Sequence, residues 1–232
     1  MIYQLDPEYP YFPNPLDVPE ENREEDSLFA VGGDLSPERL LQAYSSGIFP
    51  WTDFRILDVP DGEEREWWQQ LHWHCPYDRF VIFPEEIHIS HSLRTRLKKG
   101  EYRTTFDLAF DEVIAGCSKL RIDEPGAWLG PQMVEAYTKL HHMGYAHSVE
   151  VWSGNELIGG LYGVMVNGVF CGESMFSLKP DASKVALVAL ADRMSRAGAK
   201  IIDCQFETPH LRSMGGRHIP LKQYLEIMNS TE

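Results

Sequence analysis

Residues 159–177 read Gly-Gly-Leu-Tyr-Gly-Val-Met-Val-Asn-Gly-Val-Phe-Cys-Gly-Glu-Ser-Met-Phe-Ser. Asn167-Gly168 stands between two apolar runs. Both residue types tolerate the positive φ that a two-residue hairpin turn requires, so the pattern predicts a tight hairpin. Its strands are apolar on both faces, which predicts a central, covered place in a sheet. The second strand carries Glu173 among Phe170, Cys171, Met175 and Phe176. A carboxylate in such company is costly to bury without a partner. Either it faces water at a frayed strand end, or it floors an apolar pocket and awaits a cationic or ammonium group.

Downstream, a helix is expected from Ser183 to Ala197, then a short strand over 200–205. Side chains alternate along a strand, so Asp203 and Gln205 should share a face and need partners. With Glu173 they would line one polar pocket with an apolar floor, the usual form of a small-molecule site. A last helix follows Pro220. Upstream come a strand from Ala146 to Trp152 and a helix opened by Pro131 and stopped by Gly144. A further helix is expected from near Asp107, with Phe110, Val113, Ile114 and Cys117 at helical spacing. Between these two helices, 126–130 reads as a loop carrying Trp128. Ser90 to Gly100 reads as a capped helix with Leu93 and Leu97 inward. Arg94, Arg96, Lys98 and Lys99 gather on its outer face, as a solvated surface or a phosphate-docking one. A strand is expected over Phe80 to Phe83. Segregated helices and strands of this kind indicate an α+β or mixed layer fold.

The front of the chain differs. Residues 1–80 hold 5 Lys/Arg against 17 Asp/Glu, a net of −12, whereas 81–232 hold 16 against 18, a net of −2. The opening is rich in proline and acid and is expected to be extended, with little regular structure. Ser36, Pro37 and Gly47 bracket a short helix as cap, first position and stop, and an aromatic knot, Ile48-Phe49-Pro50-Trp51, follows. Residues 52–72 read as an acidic, irregular insertion. The 232 residues suffice to bury a real core. The whole-chain charge of −14 bears on solubility, while a local patch decides where a phosphate backbone docks.

Four scattered cysteines suit reduced thiols in the cytoplasm better than a disulfide framework. No secretory signal or membrane-length apolar run is seen, so no membrane partner is expected. His72, His74 and Cys75 lack a second cluster at metal-ligand spacing, so no metal is expected. No Walker loop, dinucleotide fingerprint, nucleophile elbow or zinc-protease motif occurs, so no cofactor is expected. An enzyme of this kind should run a downhill reaction on an activated substrate.

The run from Leu28 to Trp51, with Val31-Gly-Gly-Asp-Leu-Ser-Pro-Glu-Arg-Leu-Leu41 at its heart, resembles the leucyl/phenylalanyl-tRNA–protein transferase family. So do His147-Ser-Val-Glu-Val-Trp152, Gly159 to Gly163, Gly172 to Ser177, Ser183 to Leu187 and Asp203-Cys-Gln205. The resemblance implies a small N-terminal domain, 1–80, before a GNAT-like mixed-sheet acyltransferase domain, 81–232. It implies transfer of Leu or Phe from aminoacyl-tRNA to proteins or peptides with N-terminal Arg or Lys, marking them for degradation. The chain is separately expected to be a cytoplasmic monomer. Carried over by position, Trp51 and Trp128 would hold the terminal adenosine, each ring worth roughly 1–3 kcal/mol in stacking. Phe170, Met175, Leu187 and Ile202 would form the aminoacyl side-chain pocket, joined by Leu161 and Leu190, which stand where relatives can carry Met and Phe. Glu173, Asp203 and Gln205 would form the polar centre, and Arg94, Arg96, Lys98 and Lys99 would take the acceptor stem. Two rivals are an acyl-CoA-dependent N-acyltransferase and a non-catalytic protein binding the tRNA end. The first should carry a pyrophosphate loop where this chain has Leu178-Lys-Pro-Asp-Ala182, and the second would not need Glu173, Asp203 and Gln205 together.

Overall fold

The computed structural model describes residues 1–56, 67–119 and 128–230, and only the backbone of 52–56 and 67–70. The middle of the expected insertion, 57–66, and Gly126 and Ala127 of the Trp128 loop lie outside these residues. The chain divides into two compact units: 1–76 with 118–136, and 77–117 with 137–232.

The first unit is built on a four-stranded mixed sheet. It contains β1 (Tyr3–Leu5), β2 (Leu28–Gly32), helix α1 (Pro37–Ser45), β3 (Phe49–Ile56) and β4 (Trp67–His74). The spatial order is β1-β2-β4-β3, with β1 parallel to β2 and the rest antiparallel. Ser36 caps α1 as expected, its Oγ accepting from the Arg39 amide. The reading of 52–72 as irregular is corrected at both ends. Its flanks belong to a long antiparallel pair that runs from Phe49 opposite His74 to Ile56 opposite Trp67. Acidic composition concealed a ladder whose registration depends on backbone pairing.

The second unit holds β5 (Asp78–Ile82), α2 (His91–Lys99), β6 (Arg103–Phe106), β7 (Ala146–Ser153), β8 (Glu156–Val166) and β9 (Val169–Ser177). It also holds α5 (Ala182–Arg196), β10 (Ile201–Gln205), α6 (Pro209–Ser213), β11 (Arg217–Pro220) and α7 (Leu221–Asn229). The division between units falls within α3 (Phe110–Lys119) and at Tyr137 of α4 (Pro131–His142). Seven strands form one mixed sheet in the order β11-β5-β10-β9-β8-β7-β6. The expected hairpin is at its heart. Asn167 and Gly168 take φ of +50° and +77°, and Val166 pairs with Val169 across them. β10 lies between β9, to which it is parallel, and β5, to which it is antiparallel.

Leu161 and Tyr162, adjacent on β8, point to opposite faces. Leu161 joins the core beneath α5, with Val185, Leu187, Leu190, Ala191 and Met194 of that helix. The Tyr162 ring meets those of Phe110 in α3 and Tyr137 in α4, at 5.8 and 5.4 Å. The His147–Trp152 motif pins edge strand β6 to β7. Trp152 Nε1 donates to Thr105 Oγ1 at 2.8 Å, and the Thr105 and Ser148 hydroxyls both donate to the buried Glu150 carboxylate. Three local expectations are corrected. Leu97 is exposed, because α2 is covered at Leu93 only. Asp107 precedes α3 in a left-handed conformation, φ +57°, with its carboxylate held by His147 and the Ser148 amide. The alternation that would place Asp203 and Gln205 on one face is broken, because β10 bulges between them.

Candidate active site

Three strands converge on the polar centre. β9 supplies Glu173 at an irregularity in its pairing with β8, which slips between Tyr162 and Gly163. Such an irregularity re-aims a side chain that regular alternation would point elsewhere. β10 supplies Asp203 and Gln205, and β5 supplies a residue sequence reasoning missed, Arg79. Gln205 Nε2 donates to Glu173 Oε1 at 3.0 Å, and the Tyr137 hydroxyl donates to Glu173 Oε2 at 2.6 Å. The half-buried carboxylate is therefore gripped through both oxygens, and it does not fray into water.

Asp203 lies deeper and is fully buried. Arg79, also fully buried, donates from Nε to Oδ1 at 2.8 Å and from a terminal nitrogen to Oδ2 at 2.6 Å. The Tyr224 hydroxyl of α7 donates to Oδ2 at 3.0 Å, and the Gln205 amide donates to Oδ1 at 2.9 Å. Burial, and next the neighbouring Asp203 charge, push the Tyr224 hydroxyl well above its ordinary pKa, so it stays a donor. The same two causes raise the Cys171 and Cys204 thiols, which makes both poor nucleophiles. One signal for Arg79 existed: a buried Asp demands a cation, and Asp78-Arg-Phe-Val-Ile82 places a charge at the head of an apolar strand.

The six aminoacyl-pocket candidates are gathered in one apolar cluster under α5, and three of them, Phe170, Met175 and Ile202, stand on the strands that carry the polar centre. Leu161, Phe170, Leu187, Leu190 and Ile202 are buried in it, and Met175 packs against it half-buried. In the first unit, Trp51 and Trp128 are brought together, with ring centroids 6.3 Å apart and planes at 47°. Trp51 is 37% exposed and Trp128 only 8%, so Trp51 is the more accessible ring of the pair. His74 lies 5.9 Å from the Trp51 ring, and burial lowers its pKa, which favours a neutral, stackable imidazole. His74 was weighed from sequence as a metal ligand. Among the described residues no cluster of His, Cys, Asp and Glu could hold a metal ion, and His74 belongs to this aromatic surface.

The basic helix is less uniform than its sequence. Ser90 caps it, and Arg94 and Lys98 make no ion pair among the described residues. Arg96 is tied to Asp181 at 3.0 Å and Glu101 at 3.6 Å, and Lys99 lies 3.8 Å from Glu101. No helix of the described residues is long and apolar enough to cross a membrane.

The second unit thus presents a bonded carboxylate–amide pair, an apolar cluster under α5 and a basic helix, and the first unit an aromatic pair. The family model described as leucyl/phenylalanyl-tRNA protein transferase matches residues 81–229, and the model for that family's N-terminal domain matches 33–76. Proteins named leucyl/phenylalanyl-tRNA–protein transferase are similar along most of the chain. That of Nitrosomonas eutropha is 49% identical over 88% of this chain and 82% of its own. That of Stutzerimonas stutzeri is 48% identical over 89% and 85%. That of an Anaeromyxobacter species is 45% identical over 97% and 88%. A solved structure of a Bacteroides thetaiotaomicron protein of unknown function covers 78% of this chain and 60% of its own at 10% identity, with a TM-score of 0.44, too low to assign a fold. The chain belongs to the leucyl/phenylalanyl-tRNA–protein transferase family, and it is on that ground an aminoacyltransferase.

Proposed function

We propose that this chain moves leucine or phenylalanine from aminoacyl-tRNA to the N-terminal Arg or Lys of acceptor proteins, which are thereby marked for degradation. Family membership supports the reaction class. The observation that carries the site assignment is the Glu173–Gln205 bond at 3.0 Å, between the strands that also carry Phe170, Met175 and Ile202 of the apolar cluster. The reaction is aminolysis of an ester. The acceptor's α-amino nitrogen attacks the aminoacyl carbonyl carbon, a C–N bond forms, and the C–O bond to the ribose breaks. The ribose oxygen leaves with the electron pair and takes up a proton, while the amine gives one up. With an α-amino pKa near 8, roughly a tenth of acceptors are free base at pH 7, so positioning supplies much of the acceleration.

In this reading Gln205 orients the amine through its carbonyl oxygen, because its Nε2 is committed to Glu173. An amide is a very poor base, so the ribose hydroxyl or a water relays the proton. Glu173 binds the substrate ammonium or the basic acceptor side chain. The apolar cluster of Leu161, Phe170, Met175, Leu187, Leu190 and Ile202 takes the Leu or Phe side chain. Trp51 and Trp128 stack the terminal adenosine, and α2 takes acceptor-stem phosphates. The proposed domains are 1–80 and a GNAT-like 81–232, in a cytoplasmic monomer, and the adenosine site takes Trp51 from the first and Trp128 from the second. Acyl-CoA is the weaker donor, for want of a pyrophosphate loop before α5.

The test is transfer of labelled leucine from leucyl-tRNA to a peptide beginning with Arg and to one beginning with Ala. Label on the Arg peptide alone, lost in Gln205→Ala, is the expected result. Tight tRNA binding without transfer would turn the reading to a tRNA-end binding protein.

A further inference from the structure

The backbone at Gln205 is strained. Its φ is +61°, a conformation that costs an L-residue other than Asn, Asp or Gly roughly 1–2 kcal/mol. The Phe206 amide donates to the Cys204 carbonyl at 2.7 Å, closing a three-residue ring about Gln205. A positive φ inside an i→i+2 bond is the pattern of the rarer, strained form of γ-turn. Strain of this kind persists only where its surroundings over-determine it, and it clusters at functional residues. Here the surroundings are identifiable. The Gln205 amide is drawn inward by Asp203 Oδ1 at 2.9 Å, and Asp203 is immobilised by Arg79 and Tyr224.

A carboxylate offers about four acceptor positions. Asp203 receives two bonds from Arg79, one from Tyr224 and one from the Gln205 amide, and it is fully buried. It has no acceptor position left for a substrate proton and no surface to meet a substrate. A buried ion pair is weak evidence of stabilisation, since well-packed apolar groups can do as well, whereas geometric definition is a service an apolar pair does not give.

We propose that Arg79, seconded by Tyr224, is a positioning residue of this transferase: it locks Asp203 so that the carboxylate holds Gln205 in its strained turn, with the amide aimed at Glu173. Asp203 then acts through the Gln205 backbone and does not accept the proton. This rests on the proposed role of Gln205, and the test separates the two. Single-turnover transfer from leucyl-tRNA to an Arg-initiated peptide is measured for the parent, Arg79→Lys, Gln205→Ala and the double variant, with leucyl-tRNA binding and thermal unfolding alongside. Arg79→Lys keeps the charge and loses the two-pronged geometry. The rate at saturating peptide should fall at least tenfold, with leucyl-tRNA binding within twofold of the parent. In the double variant the Arg79 change should cost little beyond Gln205→Ala, because both remove the same placement.

Full independence of the two losses, or a parental rate in Arg79→Lys, overturns the proposal. A parental rate in Gln205→Ala overturns the role of Gln205 itself. If Arg79→Lys does not fold, Tyr224→Phe is put through the same cycle. It removes the hydroxyl's bonds to Asp203 and Cys171 and leaves the ion pair, and a several-fold fall that vanishes in the Gln205→Ala background is expected. Additive losses there count against the proposal equally.

Discussion

Gln205 occupies the place where a proton acceptor would be sought, yet it carries an amide, and its Nε2 already donates to Glu173 at 3.0 Å. Gln205→Glu sets an orienting role against a basic one. The change would put a second carboxylate beside Glu173, where two like charges cannot both ionise freely. If Gln205 orients, transfer should fall at least tenfold near neutral pH. Intact turnover with a steeper pH–rate profile would show instead that a base is wanted there. Glu207, two residues on, gives a titration to follow. Arg212 grips its carboxylate and His218 Nε2 lies 2.9 Å away, and these bonds, that of Arg212 first, hold its pKa down to about 2 against an ordinary 4.5. A depressed folded-state pKa contributes stability that is present above the unfolded value and lost as pH falls through the folded one. The stability gap between the parent and Glu207→Gln, read by urea unfolding, should therefore be flat above pH 5 and narrow steadily below about 4.5. The three polar candidates were legible because each stands among apolar neighbours in a strand. Arg79 and Tyr224 were not, since they lie 124 and 21 residues from Asp203 and meet it only through the sheet order and the seating of α7.

Strand β8 shows how side-chain absence shapes an element. A Cβ on Gly163 would stand 2.3 Å from the Cys171 carbonyl oxygen and 2.6 Å from the Phe170 ring. Neither can give way cheaply, since one is backbone of β9 and the other is core. Gly163→Ala should therefore destabilise the protein by about 1–3 kcal/mol, the usual cost of overpacking. Transfer should suffer more than unfolding alone explains, because Gly163 borders the irregularity that aims Glu173. A variant with parental stability and rate would mean that β9 can shift without disturbing Glu173. The hairpin and α1, α2, α4 and α5 were readable because caps, turn residues and periodicity are local signals. β2, β6, β11 and α6 were not foreseen. They span 4 or 5 residues each, too few for a period to declare itself, and the three strands are defined by pairing to distant partners. The β3–β4 ladder was misread for the related reason that acidic residues masked backbone pairing.

Across the whole chain, charge is the property no single element explains. The net of −12 over residues 1–80 repels a phosphate backbone, while 81–232 is nearly neutral and carries α2. The net charge of −14 therefore does not forbid an RNA partner, since a local patch decides where phosphates dock. Each phosphate neutralised by a cation should contribute about 0.7–0.9 to the slope of log affinity against log salt. The four cations of α2 are not equivalent. Arg94 and Lys98 have no ion pair among the described residues, whereas Arg96 is held by Asp181 and Glu101. The paired Arg94→Ala/Lys98→Ala variant should flatten the slope for leucyl-tRNA by about 1.4–1.8 units if each meets one phosphate. Arg96→Ala should flatten it less, since that guanidinium would have to leave two carboxylates to reach the RNA. Phenylalanyl-tRNA should respond alike, because phosphate contacts position the partner without reading the aminoacyl group. An unchanged slope in the paired variant would move the docking face off α2. Equal flattening by Arg96 would mean that the Asp181 pair opens on binding, which ties RNA capture to the start of α5, the helix that carries the proposed pocket residues Leu187 and Leu190.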